Sequence, residues 1–268
     1  MEILNDIPAR RFAEVDDLLA FISIYDDDNR TRAYLSLLRS QQRQIQGAVC
    51  VDAGCGFGIF AEEMARLGAR KVYAVEANPI LVEIARSRLS TFPNITVVHQ
   101  PLEQFIPPEP VDVMVHEFFG QLLYDEDVRI LQQLPFSPVL WLPNRARLAA
   151  GVMAAEAVVD QTVTPEVLRR LDGILVSGLF EDANVPLSFT VLEWSPTKFQ
   201  YSVEYDIGKE KGDLLYLGLE IYQDQKRICR AGECSNWSYV WTPRVGDRFR
   251  LVFRPAERGM RVVFEWID

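Results

Sequence analysis

The sequence has little of the chemistry that marks a metalloprotein, a disulfide scaffold or a membrane protein. Its 268 residues include four cysteines and two histidines, which are too scattered to form a zinc site, so we expect no bound metal. No stretch approaches 18 apolar residues, and no basic region with an apolar run opens the chain. We therefore expect a reduced, cytoplasmic protein without a membrane anchor, in which Cys229 and Cys234 could at most form one pair.

The chain also lacks an excess of positive charge, internal repeats, low-complexity tracts and a long linker. Its formal net charge of −10 argues against a nucleic-acid backbone as the main partner. Acidic charge would favour encounter with a cation, although keeping the protein soluble explains it equally well. A hydrophobic fraction of 49% and a charged fraction of 25% are typical of a globular protein with one or two domains.

What the sequence does contain is one βαβ unit, from Val49 to Glu76. An apolar strand leads into Asp52, a glycine-rich turn and a helix follow at once, and KVYAVE predicts a second strand. That strand ends on Glu76, whose carboxylate can take two ribose hydroxyls. The turn has the pattern GxGxG, which lacks dinucleotide spacing and is commoner in proteins that bind S-adenosylmethionine (SAM). A nucleotide-free domain with the same turn is the alternative. The glycines are Gly54, Gly56 and Gly58.

A helix is predicted before the first strand, with Asp27 or Asp28 as its N-cap and Tyr34 on its apolar face. If the segment folds back, this helix lies over the carboxyl edge of the sheet, where ligands bind in such folds. Arg30 or Arg32 would then meet an anionic group of the cofactor. Both could equally be solvated helix charges.

A pair of acidic residues follows further along the chain. The predicted fourth strand, VDVMVHEFFGQ, ends on Glu117, and Glu126 comes nine residues later in a segment that is predicted to be helical from about Asp125. Two carboxylates flanking a loop with Gly120 indicate a binding site at the sheet edge. Alternatively, Glu126 is a first-turn acid that the helix dipole favours.

Beyond Asn144 the sequence becomes a series of short β-rich runs separated by turn signals such as KEKGD and PRVGD. Regular short strands of this kind indicate an antiparallel barrel or sandwich. We predict an N-terminal segment at 1–23, a Rossmann-like SAM-binding domain at 24–144 and a substrate-binding β-barrel or sandwich domain at 145–268. A short helical insertion is predicted near 164–180.

Taken together, these motifs resemble the protein arginine methyltransferases, in a compact form of bacterial type. The family motif D-x-x-R-T-x-x-Y matches Asp27, Arg30, Thr31 and Tyr34, the glycine motif matches VDAGCGFGI, and the double-E loop matches EFFGQLLYDE. The resemblance has clear motifs over roughly residues 24 to 145 and extends more loosely to the C-terminus. It implies SAM-dependent methyl transfer to a guanidino nitrogen of arginine, with S-adenosylhomocysteine as the second product.

The resemblance implies a role for each matched residue. Arg30 would pair with the methionine carboxylate, Glu76 would hold the ribose hydroxyls, and Glu103 would read the adenine amino group. Glu117 and Glu126 would grip the substrate guanidinium, which stays protonated, and direct one nitrogen at the methyl group. The other cofactor positions that the resemblance implies are Asp52, Gly54, Cys55, Gly56, Gly58, Ala77 and Leu102, with Glu117 adjoining them.

The sequence departs from the family pattern in three places. The family's Thr-His-Trp loop has as its counterpart Ser235, Asn236 and Trp237. Trp237 would offer an aromatic face to the guanidinium, but Asn236 cannot pass on a proton, which would leave Asp27 to act with water. The Tyr-Phe-x-x-Tyr signature of a helix that closes over the cofactor is absent. The dimerisation arm, at about 158–186, looks altered, so a homodimer is compatible with the sequence without being required.

Several properties stay open from the sequence. The acceptor could be arginine in a protein or peptide, free arginine, or an arginine-like metabolite. Mono- and dimethylation are not distinguished, because Ile24 and Val128 stand where bulkier residues often limit the methyl count. The alternatives to arginine methylation are a non-catalytic SAM-binding protein and a methyltransferase for another small amine.

Overall fold

The computed structural model describes residues 8–159, 163–179, 185–234, 236–256 and 259–267, and the structural statements below concern these residues. The helices are α1 (Ala9–Asp26), α2 (Asp28–Ser40), α3 (Gln42–Ile45), α4 (Ile59–Arg66), α5 (Pro79–Leu89) and α6 (Pro165–Arg169). The first five strands are β1 (Val49–Ala53), β2 (Lys71–Glu76), β3 (Ile95–His99), β4 (Val113–His116) and β5 (Leu140–Leu142). The later strands are β6 (Arg145–Met153), β7 (Val176–Ser177), β8 (Phe189–Trp194), β9 (Ser202–Asp206), β10 (Leu214–Gln223), β11 (Lys226–Arg230), β12 (Val240–Pro243), β13 (Arg248–Pro255) and β14 (Met260–Ile267).

The first half of the chain forms a five-stranded parallel sheet in the order β3-β2-β1-β4-β5. The central strand β1 is buried along its whole length, as expected for a parallel strand covered on both faces. Its last residue, Ala53, is level with Val75 of β2 and His116 of β4. Gly54 and Glu117, which follow β1 and β4, therefore meet Glu76, the last residue of β2, at one edge of the sheet, as the sequence predicted.

Helices α1 and α2 meet at the buried residue Asp27, which is the N-cap of α2 and accepts a hydrogen bond from the Arg30 backbone N–H at 3.0 Å. The predicted cap is thus confirmed. The predicted inner face is confirmed as well, because Tyr34 is fully buried and stacks on Phe60 of α4 with 5.3 Å between ring centroids. Asn78 caps α5, with Pro79 at its first position.

The second half of the chain forms two antiparallel sheets. One has the order β7-β12-β10-β6-β8 with β11 added beside β10, and the other has the order β14-β13-β9. The predicted architecture is confirmed as an open, sandwich-like arrangement, and within the described residues neither sheet closes into a barrel. The barrel alternative was wrong because β7 and β8, at the two ends of the first sheet, do not pair with each other.

Four local predictions need correction. Strand β4 ends at His116, one residue before Glu117, and the segment after Glu126 is a 3-10 helix over Asp127–Gln132 rather than a helix from Asp125. The helical insertion is limited to the five residues of α6, and β7 follows it; residue 180 of the predicted insertion lies outside the described residues. Strand β11, KRICR, was missed because its three basic residues hide the alternation that marks a strand.

Cys229 and Cys234 are joined by a disulfide, with their Cα atoms 6.6 Å apart, whereas Cys50 and Cys55 are free and buried. The expectation of reduced cysteines is therefore wrong for this pair, because the turn after β11 brings the two side chains together. Across the described parts of the chain, none of the helices has the length and apolar character needed to cross a membrane. The same residues contain no group of three or more His, Cys, Asp or Glu side chains arranged to hold a metal ion.

Candidate active site

A cavity of about 500 Å³ lies at the carboxyl edge of the parallel sheet. The size suits a nucleoside-like ligand. Helix α1, the turn after β1, the ends of β2 and β4 and the segment after β3 all contribute to its wall. The lining residues are Phe21, Ile24, Tyr25, Arg30, Gly54, Phe60, Val75, Glu76, Ala77, Gln100, Pro101, Leu102, Glu103, Glu117, Phe118, Glu126, Asp127 and Ile130.

This cavity brings together eight of the fifteen residues that were predicted to be catalytic or cofactor-binding. The eight are Arg30, Gly54, Glu76, Ala77, Leu102, Glu103, Glu117 and Glu126. The other seven lie outside its lining. The seven are Asp27, Asp52, Cys55, Gly56, Gly58, Asn236 and Trp237. Ser235, the first residue of the predicted loop, lies outside the described residues.

The glycine turn is tightly packed against the elements that face the cavity. Gly54 has φ +66°, and a Cβ there would come within 2.8 Å of the Phe118 ring. Asp52 is buried beneath the turn, where its carboxylate accepts a hydrogen bond from the Ala61 N–H of α4 at 2.8 Å. Burial, with a smaller contribution from the charge of Glu76, raises the pKa of Asp52 to about 7. Asp52 therefore supports the turn and helix rather than facing the cavity directly.

The carboxylate of Glu76 is partly used by the protein itself. Its Oε2 accepts the Gly56 N–H at 2.9 Å, and its Oε1 accepts the N–H groups of Ala77 and Asn78, each at 2.8 Å. A carboxylate offers about four lone-pair sites, so these three bonds leave about one for a ligand. The expected contact with two ribose hydroxyls is thus reduced to one if the backbone bonds persist.

Arg30 is a buried cation in the wall of the cavity. Its guanidinium pairs with Glu117 and donates through Nη1 to the Ile24 carbonyl at 3.1 Å. Its Cζ lies 5.4 Å from the centroid of the Trp237 ring, and its Nε is buried without a hydrogen-bond partner. Burial lowers the pKa of Arg30 from its ordinary value. A buried cation with an unused N–H is suited to an anionic ligand group.

The loop between Glu117 and Glu126 is held by its own polar contacts. Asp125 accepts the Leu122 N–H at 2.8 Å, and a Cβ on Gly120 would clash with the Asp125 carboxylate at 2.2 Å. Desolvation, followed by the negative charge of Asp125, raises the pKa of Glu126 to about 7. Because Glu126 as a whole is exposed, water limits this shift, and its upward direction is what matters for the chemistry.

Asp27, Asn236 and Trp237 do lie together, but not as a proton-transfer group. Both Asp27 oxygens accept backbone N–H groups, from Arg30 at 3.0 Å and from Asn236 at 3.0 Å. Trp237 is buried, and its Nε1 donates to the Phe119 carbonyl at 3.0 Å. The guanidinium that faces its ring belongs to Arg30 of the same chain. The contacts of these residues therefore indicate support of the cavity wall.

Two aromatic residues of α1 belong to the site but were not predicted from the sequence. Phe21 and Tyr25 line the cavity, and the Tyr25 ring stacks on Phe57 of the glycine turn with 4.8 Å between centroids. The Tyr25 hydroxyl donates to the Cys55 carbonyl at 3.4 Å and accepts the Phe57 N–H at 3.3 Å. A helix thus covers the turn although the family's aromatic signature is absent. Aromatic residues four apart just before Asp27 were the available signal.

Comparison with known proteins supports this geometry. Residues 50–134 match a sequence family described as a methyltransferase domain. Over 119 residues, 43% of the chain, it is 36% identical to a probable protein arginine N-methyltransferase 6.1 of Oryza sativa subsp. indica, covering 31% of that protein. Over 195 residues, 72% of the chain, it is 29% identical to protein arginine N-methyltransferase 6 of Danio rerio, covering 49% of it. The chain thus spans half or less of the length of these relatives.

The fold agrees over a longer stretch. A solved structure of PRMT6 with SAH superposes with a TM-score of 0.67 at 14% identity, covering 92% of this chain and 99% of the other. At that identity the likeness concerns the fold, and it includes the sandwich-like sheets as well as the parallel one. The resemblance to the protein arginine methyltransferases is therefore confirmed in sequence and in fold, and residues 50–134 match the methyltransferase-domain family.

Proposed function

We propose that this chain is a SAM-dependent N-methyltransferase that acts on the guanidino group of arginine. The observation that carries the proposal is the shared cavity: Glu117 and Glu126 line the same space as Gly54, Glu76 and Glu103. A methyl donor at the glycine turn and a guanidinium between the two glutamates would then be neighbours. The names of the relatives, which are arginine N-methyltransferases, support the same reaction.

The residues of the cavity fit the chemistry of SAM. Arg30 supplies a buried positive charge with an unused N–H for a carboxylate, and Glu76 and Glu103 supply acceptors for hydroxyl and amino groups. Phe21 and Phe118 add aromatic surface. When bound, SAM supplies a methyl group on a positively charged sulfur. The solved structure of PRMT6 with SAH supports this choice of cofactor.

The two glutamates have a geometric and an electrostatic task in this proposal. Guanidinium nitrogens are poor nucleophiles because their lone pairs are delocalised, and the group keeps its proton at neutral pH. Carboxylate contacts from Glu117 and Glu126 would fix one terminal nitrogen in line with the methyl group for direct transfer and draw positive charge away from it. They would also offset the repulsion between two cations.

In this proposal, Glu126 rather than Asp27 accepts the proton that the guanidinium group loses. Asp27 uses both carboxylate oxygens on backbone N–H groups, so it is poorly placed to accept a proton. Glu126 lines the cavity and has a raised pKa, which makes it a better proton acceptor near neutral pH. Glu126 therefore takes the role that the sequence left to Asp27 and water.

We propose arginine within a protein or peptide as the acceptor, since the relatives are named for protein arginine; free arginine and arginine-like metabolites are the competing acceptors. The test is incubation with SAM and either arginine-rich peptides or free L-arginine, followed by mass spectrometry of the products. Methylated peptide supports the proposal, and methylated free arginine alone would correct the acceptor. The mass shift also gives the methyl count.

The same incubation, combined with calorimetry, separates the rival functions. Binding of S-adenosylhomocysteine in calorimetry without methyl transfer to any guanidino compound would favour a non-catalytic SAM-binding protein. Product formed only with a small amine that has no guanidino group would favour the other alternative. Either result would overturn arginine methylation.

We keep two further properties as proposals. A homodimer is supported by three exposed apolar side chains in the segment 163–179, which are Val167, Ile174 and Leu179. Light scattering coupled to size-exclusion chromatography tests it, and a monomer at all concentrations would contradict it.

A cytoplasmic location without a nucleic-acid partner rests on the charge and composition alone, and fractionation of the source cells tests it.

A further inference from the structure

The corner between α1 and α2 is fastened to the second half of the chain by Asn236. This residue lies in the β11–β12 loop, which comprises residues 231–239 without the undescribed residue 235. Its side-chain Nδ2 donates to the carbonyls of Ser23 and Ile24 at 3.1 Å and 3.2 Å. Its backbone N–H donates to Asp27 Oδ2 at 3.0 Å. A single residue thus makes three hydrogen bonds to the corner.

The two carbonyls are groups that helix α1 cannot satisfy by itself. The last four carbonyls of a helix have no partner within it, and α1 ends at Asp26. Ser23 and Ile24 contribute two of these four carbonyls. No basic residue lies in the last turn of α1. The Asn236 amide therefore caps the end of α1 across more than two hundred residues of sequence.

This end of α1 is also the part that faces the cavity. Phe21, Ile24 and Tyr25 all line it, and Tyr25 stacks on Phe57 of the glycine turn. The positions of these three side chains depend on where the helix ends. The capping contact and the cavity wall thus share the same short stretch of backbone.

The β11–β12 loop is itself fixed firmly enough to act as an anchor. The Cys229–Cys234 disulfide closes its base, and the Gly232 N–H donates to the Trp237 carbonyl at 3.0 Å. Trp237 Nε1 donates to the Phe119 carbonyl at 3.0 Å, which connects the loop to the segment carrying Glu117. The loop therefore has defined contacts on both the cofactor and acceptor sides.

We infer that Asn236 is a positioning residue that holds the end of α1 over the cavity and so sets the affinity for the cofactor. This inference rests on the proposed function for the identity of the cofactor. It assigns to Asn236 a task that needs two amide N–H donors and no proton transfer. The aspartate that shares the corner, Asp27, then serves as a second attachment point for the same loop.

The experiment compares Asn236→Ala with Asn29→Ala. Asn29 is a matched control because its Nδ2 also bridges the two halves, donating to the Glu233 carbonyl at 2.9 Å, whereas the Ser23 and Ile24 carbonyls accept from Asn236. Calorimetry would measure the affinity for S-adenosylhomocysteine, and hydrogen exchange would report the backbone amides of α1 in the ligand-free protein. Steady-state kinetics would separate KM for SAM from kcat.

For Asn236→Ala we expect the dissociation constant to rise by about tenfold, the size expected for two lost hydrogen bonds, with faster exchange in the last turns of α1. The KM for SAM should rise similarly while kcat at saturating SAM changes by less than about threefold. Asn29→Ala should stay within about twofold of the wild type in every measurement. Asn236→His, which can still donate one N–H, should recover part of the affinity.

Unchanged affinity and unchanged exchange in Asn236→Ala would overturn the inference. So would a large loss of kcat with an unchanged KM for SAM, or a kcat above that of the wild type in Asn236→His, since both indicate proton transfer. If the wild type bound no S-adenosylhomocysteine, the proposed cofactor would fail, but exchange in α1 would still decide whether Asn236 holds the helix.

Discussion

At the scale of single residues, Glu76 illustrates what strand patterns can and cannot predict. Its position at the end of β2 places it at the ligand edge of the sheet, and that was predictable from the alternation of strands and helices. The three backbone N–H groups that occupy its oxygens were not readable, because they depend on how the chain turns after the strand. The same holds for Asp27, whose cap to α2 was predicted but whose bond from Asn236 was not.

Replacing Glu117 with glutamine tests the acceptor side at this scale. Glu117→Gln keeps the shape but removes the charge that orients the guanidinium, so methyl transfer should fall by about a hundredfold or more. Cofactor binding should change by less than about threefold, because Arg30 keeps a hydrogen-bond acceptor. A radiolabelled-methyl assay and calorimetry with S-adenosylhomocysteine measure the two effects. Retention of most of the activity would remove Glu117 from its assigned role.

The raised pKa of Glu126 predicts how the rate depends on pH. Its carboxyl group must be ionised to hold a guanidinium or to accept a proton, and its pKa lies above the usual carboxyl range, towards about 7. At saturating SAM, kcat/KM for the arginine acceptor should therefore rise with pH and level off above that pKa, changing by up to about tenfold per unit below it. A profile that is flat between about pH 5 and pH 8 would show that Glu126 is already ionised throughout.

At the scale of elements, α2 was predictable and the role of α1 was not. The Asp27 cap and the buried face of α2 depend on local spacing. The place of α1 over the glycine turn depends on contacts such as the one between Tyr25 and Cys55, thirty residues apart. The apolar periodicity of a helix carries no information about which distant residue the helix contacts. The absence of the family's aromatic signature therefore did not reveal that α1 covers the glycine turn.

The contact between α1 and the glycine turn leads to a paired substitution. Tyr25→Ala removes the ring that stacks on Phe57 at 4.8 Å and should weaken the binding of S-adenosylhomocysteine by about tenfold. Tyr25→Phe keeps the ring and loses only hydrogen bonds of 3.3 Å and 3.4 Å, so the expected change is within about threefold. Calorimetry on both variants decides. Equal losses in the two would mean that the hydroxyl, and not the stacked ring, sets the affinity.

At the scale of the whole molecule, the sequence predicted most strands of the second half but not how they pair. Strand β10 pairs with β6, whose residues lie about seventy positions earlier, and also with β11 and β12. Such non-local pairing is not encoded in the alternation of any one strand. Whether the sheets close into a barrel or stay open was therefore beyond what the turn signals could decide.

The pH dependence of the free energy of unfolding should reflect the burial of His116. Burial among aromatic rings lowers the pKa of His116 to about 3, whereas the unfolded chain binds the proton near 6.5. The folded state then binds fewer protons than the unfolded state between these values, so stability falls as pH decreases through that window. From about pH 7 to pH 5, the wild type should lose about 2 kcal/mol more than His116→Gln, which keeps an N–H donor for the Pro143 carbonyl. Urea unfolding at both pH values measures this difference, and parallel pH dependence in the two proteins would contradict it.

The central claim is that one cavity holds a methyl donor at the glycine turn and an arginine guanidinium between Glu117 and Glu126. Its most direct test supplies SAM with a deuterated methyl group and an arginine peptide, and locates the label by tandem mass spectrometry. The account predicts the label on a guanidino nitrogen with the wild type and a strongly reduced amount with Glu117→Gln. A wild-type protein that binds S-adenosylhomocysteine but leaves every guanidino nitrogen unlabelled would contradict it.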